Sequence, residues 1–432
     1  MSCNWTTQKL ADLCDEITVG FVGSMTKEYV DKGIPFFRSK NISEYEVNWD
    51  DIKYVSPEFH KKLKKSALSP GDVAIVRTGK PGTCCVIPEN IKEANCSDIV
   101  IVRVDKAKLC PNYLSFFMNS MANHQVSSRL VGAVQQHFNV SAAKQIEIPL
   151  PTLNEQKDIV HVLKTISDKI FINTQTNQTL EQMAQAIFKS WFVDFDPVKA
   201  KMNGEQPEGM DAATASLFPE KLVESELGLI PEGWEVSALS ELIKLTGGGT
   251  PKRSEETYWN GDIPWFSVKD VPSGSNVFVV DTDENITELG LSKSSTKLLP
   301  KGTTIITARG TVGKLALVGT DMCMNQSCYG IRGKEVGDYY NYFNLKQAVS
   351  TLQQNTHGAV FDTITTKTFD TYSLAFGGVE LANKFDALIA PLLQKIEANV
   401  RQNIELSALR DTLLPKLLSG EIELGQSVEV PE

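Results

Sequence analysis

The chain has 432 residues, of which 41% are hydrophobic and 22% charged, and its formal net charge is -10 at pH 7. This length exceeds what one hydrophobic core usually serves and predicts about two to four folding units. No stretch approaches the roughly 18 apolar residues that a membrane span needs, and the N-terminus lacks the positive and then apolar layout of a secretory signal. A cytoplasmic protein without membrane contact is therefore expected.

Residues 1–150 predict a β-rich domain with some helix. Short β-branched runs such as VAIVRT (73–78) and IVIVRV (99–104) are separated by Gly, Pro and Asn, which is typical of strands joined by turns. The stretch KGIPFFRSKNI (32–42) is also notable because a similar sequence occurs later in the chain.

From residue 151 to 194 the pattern becomes that of one long helix. Apolar or small residues follow each other in alternating steps of four and three, which defines a heptad seam. The seam residues are Ile159, Leu163, Ile166, Ile170, Asn173, Asn177, Leu180, Ala184, Ile187 and Trp191. A stretch of about 35 to 40 residues measures roughly 50 to 60 Å at 1.5 Å per residue, more than one small domain covers.

Gly, Pro and acidic residues then break the period over residues 195–231, which are predicted to form a connector. The first domain is repeated after it, over residues 232–378. Trp5 aligns with Trp234 at an offset of 229 residues, and IPFFRSK (34–40) aligns with IPWFSVK (263–269) at the same offset. The glycine spacing of SPGDVAIVRTGKPG (69–82) likewise returns in LPKGTTIITARGTVG (299–313). The chain is thus a tandem duplication.

The heptad seam is also repeated, over residues 379–420, before a short tail at 421–432. The second seam comprises Phe385, Ile389, Leu392, Ile396, Asn399, Asn403, Leu406, Arg410, Leu413 and Leu417. Two matching seams favour two helices that pack on each other as an antiparallel coiled coil, with the asparagines fixing the register. Pro391 and Pro415 are expected to bend the second helix or to shorten it at its ends. The fold class predicted from these elements is α+β.

No catalytic or metal-binding motif is found. The eight cysteines contain no CxxC pair, so neither a zinc site nor a disulfide scaffold is indicated, and Cys323 and Cys328 are interpreted as buried thiols. The stretch GTVGKL (310–315) has no Ser or Thr after its lysine, which argues against a phosphate-binding loop. No GxSxG and no HExxH motif is present, and no Asn or Asp is followed by Pro-Pro and an aromatic residue, the pattern expected of an amino-methyltransferase.

A set of longer motifs carries a family resemblance over nearly the whole length. They are, in chain order, IPLPTLNEQKDI (148–159), AIFKSWFVDFDPVKAKMNG (186–204), IPEGW (230–234), GGGTPKRSEETYWNGDIPWFSVKDV (247–271), LLPKGTTIITARGTVGK (298–314) and LLPKLLSGEI (413–422). Together with the duplication, the chain resembles the specificity (S) subunit of type I restriction-modification systems.

The resemblance implies a function and a set of partners. Each domain would be a target-recognition domain that reads one half of a bipartite, asymmetric site in double-stranded DNA. The paired helices would set the gap between the half-sites and dock two methyltransferase subunits, and restriction and translocase subunits would join the complex. The chain itself would perform no chemistry and hold no cofactor, because S-adenosylmethionine, ATP and magnesium would belong to the partner subunits.

Polar and basic residues in the loop-like segments are the candidates for base contacts, since Arg, Lys, Asn, Gln and acidic side chains read base edges. In the first domain these are Arg38, Lys40, Arg77, Lys80, Gln135, Gln136 and His137. In the second they are Thr250, Lys252, Arg253, Lys269, Arg309, Lys314 and Asp362. Phe36 and Trp265, which share an aligned position, are expected in the core. Most of the acidic excess lies outside the two domains, which reduces the objection that net charge raises against DNA binding.

One alternative stays open on the sequence alone. The duplicated domains of a protein-binding scaffold would show the same repeats and the same paired helices. A scaffold would give no sequence-dependent DNA methylation when combined with its partners, whereas a specificity subunit must give it.

Overall fold

The computed structural model describes residues 5–130, 137–355 and 363–424. The chain divides into two compact units, one made of residues 1–169 together with 406–432 and the other of residues 170–405. Each long helix therefore contributes to both units. Within the described ranges, no helix combines the length and hydropathy that crossing a bilayer requires.

The first copy of the repeat combines short strands with short helices and leads into a long helix. Its strands are β1 (Thr6–Lys9), β2 (Cys14–Val19), β3 (Tyr29–Val30), β4 (Ile34–Phe37), β5 (Lys53–Val55), β6 (Ala67–Leu68), β7 (Val73–Val76), β8 (Cys84–Val86), β9 (Ala94–Cys96), β10 (Ile99–Val104) and β11 (Glu147–Leu150). Its helices are α1 (Pro57–Lys62), α2 (Pro111–Ser120), α3 (Asn123–Ser127), α4 (Val140–Lys144) and α5 (Leu153–Phe192).

The predicted connector is a folded segment. It contains two short helices and a hairpin, namely α6 (Asp196–Met202), α7 (Ala212–Ser216), β12 (Leu222–Ser225) and β13 (Gly228–Pro231). Phe218 of this segment lies in the core of the second unit, where its ring meets that of Trp191 edge to face at 5.4 Å.

The second copy repeats the plan of the first. Its strands are β14 (Glu235–Ala238), β15 (Ile243–Gly247), β16 (Trp259–Phe266), β17 (Phe278–Val279), β18 (Asn285–Ile286), β19 (Thr304–Thr307), β20 (Leu315–Val318), β21 (Cys323–Met324), β22 (Cys328–Gly333) and β23 (Ser373–Phe376). Its helices are α8 (Leu239–Leu242), α9 (Glu288–Ser292), α10 (Asp338–Asn355), α11 (Thr366–Asp370) and α12 (Val379–Leu418).

The main sheets of the two copies share one order of four strands, which confirms the predicted duplication and the α+β class, and the second copy adds β17 beside β20. The order β2-β10-β7-β8 in the first copy matches β15-β22-β19-β20 in the second. Strand β4 pairs in parallel with β9 as β16 does with β21. The first and last strands of each copy pair antiparallel, β1 with β11 and β14 with β23. Phe36 and Trp265 are both buried, as predicted.

The repeated glycine spacing reflects a repeated backbone conformation. Gly79 and Gly310 follow the equivalent strands β7 and β19, and their φ angles are +89° and +79°. A side chain at either position would find open space, so the need for glycine comes from the left-handed backbone itself. The same turn is therefore built at the end of the same strand in both copies.

Within the second unit, the two long helices pair antiparallel, as predicted. Asn173 of α5 donates a hydrogen bond to Asn403 of α12 over 2.8 Å. Later in α5, Trp191 packs its ring edge to face against Phe385, near the start of α12, at 5.9 Å. Increasing residue numbers in one helix thus meet decreasing numbers in the other.

The same pairing holds within the first unit, where the start of α5 meets the end of α12. Ile159 and Leu163 share one core with Leu414, Leu417 and Leu418. That core also contains residues of the first domain, so the last turns of α12 complete the domain at the opposite end of the chain.

The residues predicted for the helix seam are all buried or half-buried. The buried face is wider than the predicted seam, because Leu393 and Val400 are buried as well. The expected shortening at the prolines is wrong, since α12 continues through Pro391 and Pro415 from Val379 to Leu418, whereas the alternative expectation of a bend stays a prediction. Each proline removes one backbone donor, but the buried residues around Pro391 hold the helix on its neighbours.

Candidate nucleic-acid interface

Each domain presents the same short turn after its strand β4 or β16. The turns are the 3-10 helices Ser39–Asn41 and Val268–Asp270. The last residue of each turn caps it, because Arg38 N donates to Asn41 Oδ1 at 3.1 Å and Ser267 N donates to Asp270 Oδ2 at 2.7 Å. The central residues of the two turns, Lys40 and Lys269, are both exposed and occupy equivalent positions.

A second loop is fixed in the same way in both domains. Phe138 N donates to Arg77 O at 3.0 Å, and Ile364 N donates to Ala308 O at 3.0 Å. The chain that enters α4 or α11 is thereby tied to the loop after β7 or β19. We call the capped turn, this loop and the residue tied to it the loop surface of each domain.

In the first domain, three cations converge on Asp51. Lys40 and Arg38 both bond to its carboxylate, Arg38 also bonds to its backbone carbonyl, and Lys53 Nζ lies 2.7 Å from Oδ1. The hydrogen bonds from Lys40 and Lys53, followed by that from Arg38, hold the pKa of the Asp51 carboxyl well below its usual range. Two predicted DNA contacts, Arg38 and Lys40, are thus brought together at one point.

A second carboxylate, Asp98, joins the two loops of this domain. Ser39 Oγ donates to Asp98 O at 2.9 Å and to Oδ2 at 3.1 Å, and Thr78 bonds to the same carboxylate. Arg77 Nη1 lies 3.7 Å from Asp98 Oδ1, and its Nε donates to Phe138 O at 3.4 Å. Arg77 is therefore held in place on both sides.

An open cleft of about 590 Å³ lies between the two loops of the first domain. Lys40 and Lys80 both line it, together with Glu44 and Thr78. The predicted contacts that stand 40 residues apart in sequence are thus found in one cleft. Its mixed lining of lysine amines, hydroxyls and a carboxylate suits hydrogen bonding to a polar ligand surface.

In the second domain, Arg253 is held by aromatic rings and a carboxylate. Its guanidinium lies 4.0 Å from the ring centroid of Trp259 and 5.0 Å from that of Trp265, within the range of cation–π attraction. Its two terminal nitrogens also donate to the two carboxylate oxygens of Glu284, and the bond from Nη2 to Oε2 measures 2.9 Å. The hydrogen bond from Arg253 lowers the pKa of the Glu284 carboxyl.

The remaining predicted contacts are less constrained. Thr250 bonds to Gln326, and the backbone carbonyl of Lys252 accepts from Trp259 Nε1 at 3.3 Å. Arg309 is exposed and forms an antiparallel bridge with Thr363. Lys314 is exposed just before β20, and its backbone N donates to Thr307 Oγ1 at 2.9 Å.

Three predicted contacts, Gln135, Gln136 and Asp362, lie outside the described residues. His137, the neighbour of Phe138, is half-buried at the edge of the loop surface. For all the predicted base contacts, a role in DNA reading stays a prediction.

Equivalent positions on the two loop surfaces carry different side chains. Arg38 corresponds to Ser267, and Arg77 corresponds to Ala308. Lys40 and Lys269 are the shared feature. The same backbone frame therefore offers two different sets of donors and acceptors.

The acidic members of these clusters were missed by sequence reasoning, which looked for basic and amide side chains. Asp51, Asp98 and Glu284 each organise a predicted cation, and Lys53 completes the Asp51 cluster. Asp51 and Asp98 share one structural feature, because both have positive φ angles, 50° and 55°, a conformation that Asp tolerates better than most residues. The φ angles are known only from the structure, so they give no signal in the sequence.

Cys323 and Cys328 are buried, as predicted, and desolvation raises the pKa of their thiols to about 11 and about 12. In the part of the chain that the structure describes, no group of three or more His, Cys, Asp or Glu side chains is placed to hold a metal ion.

Two copies of one α+β domain, an antiparallel helix pair, and two equivalent loop surfaces with different side chains define a tandem two-domain protein that contains two long paired helices. The chain belongs to the type I restriction modification DNA specificity domain family, whose model matches residues 3–182 and 231–399. The family resemblance carried by the sequence motifs is thereby confirmed.

Named relatives agree with this assignment. The chain is 30% identical over 323 residues to the HindI specificity subunit of Haemophilus influenzae, covering 65% of this chain and 70% of that protein. It is 24% identical over 443 residues to the MjaIX specificity subunit of Methanocaldococcus jannaschii, covering 98% of this chain and 94% of that one. The crystal structure of a type I restriction-modification S subunit from M. genitalium shares the fold, with a TM-score of 0.59, 15% identity and 96% coverage of both chains.

Proposed function

We propose that this chain is the DNA-recognition subunit of a type I restriction-modification complex, and that each domain reads one half of a bipartite, asymmetric site. The observation that carries the proposal is the pair of loop surfaces, built on one backbone frame with different side chains at equivalent positions. Two readers of this kind suit two different half-sites, because the bases are distinguished by the pattern of donors and acceptors in the groove.

The partners follow from the same proposal. Two methyltransferase subunits dock on the paired helices, and restriction and translocase subunits complete the assembly in the cytoplasm. The chain is non-catalytic, and S-adenosylmethionine, ATP and magnesium act in the partner subunits. With a net charge of -10, this chain relies on its partners for much of the phosphate contact that drives non-specific affinity.

The test is to co-express the chain with its methyltransferase partner in a host without DNA methylation and to map the modified adenines by direct sequencing. A split, asymmetric motif with a fixed gap is expected. If both subunits are soluble, the methyltransferase is competent and no motif appears, the proposal is wrong and a protein-binding scaffold becomes the better description.

A further inference from the structure

Asp51 lies where the three cations Arg38, Lys40 and Lys53 meet, on the loop surface of the first domain. Its carboxylate contacts all three, with Lys53 Nζ at 2.7 Å and Arg38 Nη2 at 3.3 Å. Three positive charges thus face one negative charge, and the cluster keeps an excess of positive charge at one point.

The backbone around Asp51 is held firmly. Asn41 is fully buried, and its side-chain Nδ2 donates to Asn48 O and to Asp50 O, each at 3.1 Å. Asp51 follows directly with a φ of +50°, a left-handed conformation that Asp and Asn tolerate. The backbone that leads into Asp51 is therefore held by a buried amide, whereas its carboxylate contacts the three cations.

The cluster is open to solvent. The side-chain exposures are 23% for Arg38, 52% for Lys40, 39% for Lys53 and 50% for Asp51. Exposed ion pairs of this kind add little to folding stability, so fold stability alone does not account for three cations gathered at one carboxylate. Lys40 also lines the cleft between the two loops, which places the cluster at the edge of the proposed DNA-contacting surface.

A phosphodiester group carries the same charge as a carboxylate and accepts hydrogen bonds from the same donors. We propose that Arg38, Lys40 and Lys53 form a binding site for one backbone phosphate of duplex DNA, and that Asp51 occupies this site in the free protein and competes with the phosphate. The inference rests on the proposed function and deepens it by changing the role predicted for Arg38 and Lys40 from base contacts to a backbone contact that does not read sequence. Arg77, which Ala308 replaces in the second domain, keeps its predicted role in base reading.

Among the residues of the second domain that the structure describes, this site is not repeated. Pro35 pairs with Tyr54 in the first domain as Pro264 pairs with Asn285 in the second, so Lys53 and Glu284 occupy equivalent positions. A carboxylate thus replaces the lysine, and it pairs with Arg253 instead. The phosphate site is accordingly assigned to the first domain alone.

The variant Asp51→Asn tests the proposal, because Asn keeps the shape of the side chain and tolerates the same backbone conformation. The matched control is Asp50→Asn, which removes the same charge at the neighbouring residue. Asp50 is exposed and is not part of the three-cation cluster. A third variant, Lys53→Ala, removes one cation of the site and has the opposite expected effect. Thermal unfolding of each assembled complex checks that the variants fold.

The assembled complex with the methyltransferase partner is titrated with two labelled duplexes, one with the mapped motif and one without it, at several salt concentrations. Asp51→Asn is expected to bind both duplexes more tightly by the same factor, roughly fivefold, as for removal of one like charge at about 4 Å in water. Lys53→Ala is expected to weaken both equally and to reduce the slope of log K against log salt by about 1. Asp50→Asn is expected to match the wild type.

Unchanged or weaker binding by a folded Asp51→Asn complex, while the wild type still distinguishes the two duplexes, would overturn this inference and leave the proposed function intact. Failure of the wild type to distinguish the duplexes would instead count against the proposed function. A gain for the motif duplex alone would make Asp51 a base-reading residue, and the phosphate site would be withdrawn. Tighter binding of inorganic phosphate by Asp51→Asn without a gain for either duplex would assign the site to free phosphate, which also contradicts the proposal.

Discussion

The side-chain amide of Asn399 donates a hydrogen bond to the side-chain oxygen of Asn177 over 2.8 Å, and both residues are buried between the two long helices. The neighbouring pair, Asn173 to Asn403, has the same length. Asn173 and Asn399 are equivalent in the duplication, as are Asn177 and Asn403. The donor of each pair, Asn173 or Asn399, therefore occupies the same position of the repeat. An approximate twofold rotation that exchanges the two helices thus also exchanges the two pairs.

The Asn177–Asn399 bond predicts a specific stability response. Asn399→Ala leaves the buried side-chain oxygen of Asn177 without its donor, which is expected to lower the free energy of unfolding by about 1 to 3 kcal/mol. Replacing both asparagines by leucine is expected to recover part of the loss, because the two facing amides are removed together, while weakening the selection of register. The recovery is incomplete because Asn276 Oδ1 loses the bond that Asn177 Nδ2 donates at 3.2 Å. Urea unfolding measures both variants.

Thr179→Ala is the control for these variants, since Thr179 is exposed on α5 and bonds only to its own helix, at Gln175 O. It is expected to change stability by less than about 0.5 kcal/mol. An Asn399→Ala variant as stable as this control would show that the buried amide pair contributes nothing to folding.

Arg401 and Glu397 attach the second domain to α12. Glu397 is buried and accepts from Lys301 at 2.8 Å and from Arg401 at 2.9 Å. Arg401 also donates to Gly319 O at 2.6 Å and to Thr320 Oγ1 at 3.1 Å. Under the proposed function, Arg401→Ala is expected to loosen the domain on its helix, so that sites whose gap differs by one base pair become methylated while both half-site sequences stay the same.

The repeat-equivalent residue in α5 is Gln175, which is exposed, and Gln175→Ala supplies the control that should keep the wild-type gap. Methylome sequencing reports both variants. A single gap retained by a folded Arg401→Ala complex would show that this network does not set the spacing.

Exchange of residues 1–150 for the same domain of a relative is expected to change one half of the recognised site and leave the other half alone. The structure adds that residues 406–424 should accompany the exchange, because Leu414 and Leu417 complete the core of the first unit. A chimera with the original α12 end is expected to unfold at a lower temperature than one that carries the matched end, since mismatched core packing destabilises. A change in both half-sites would contradict the modular interpretation.

The fold could be predicted to a large extent because its signals are local or periodic. The heptad steps and the repeated glycines depend on neighbouring residues alone, and both describe the structure correctly. The helix was predicted to be shortened at its prolines because propensity was weighed without tertiary packing. Leu393 and Val400 were missed because α12 also packs on its own domain.

The organisation of the candidate site could not be predicted in the same way. Arg38 and Asp51 are 13 residues apart, and Arg253 and Glu284 are 31 apart. No periodicity links such pairs, because their contact depends on how two strands register with each other. Sequence reasoning could therefore name cations on loops but not the carboxylates that position them.

Glu155 predicts a pH dependence at the start of α5. Thr152 Oγ1 and Thr152 N each donate to Glu155 Oε2 at 2.7 Å, and the hydroxyl bond followed by the backbone bond lowers the pKa of this carboxyl. A lowered pKa means that the stabilisation is present above the unfolded value of about 4.3 and is lost as pH falls through the folded value. The stability deficit of Glu155→Ala, about 1 kcal/mol at neutral pH, is therefore expected to shrink below about pH 4.

Urea unfolding of wild type and variant across this pH range measures the deficit. Glu155→Gln is the control, because its neutral amide keeps an acceptor and cannot titrate, so the stability of this variant relative to Glu155→Ala should not depend on pH. A deficit of Glu155→Ala that stayed constant through pH 4 would assign the effect to packing rather than to the charged cap.

The core that receives Leu414, Leu417 and Leu418 has a consequence for synthesis on the ribosome. Residues 170–405 form one continuous unit and can fold as soon as they emerge, whereas the first unit needs residues made about 240 positions later. At a synthesis rate of roughly 5 to 20 residues per second, part of the apolar core of the first domain stays exposed to solvent for roughly 10 to 50 s. The half of the protein that is translated first is thus the half that finishes folding last, and during that interval it is the natural substrate for chaperones.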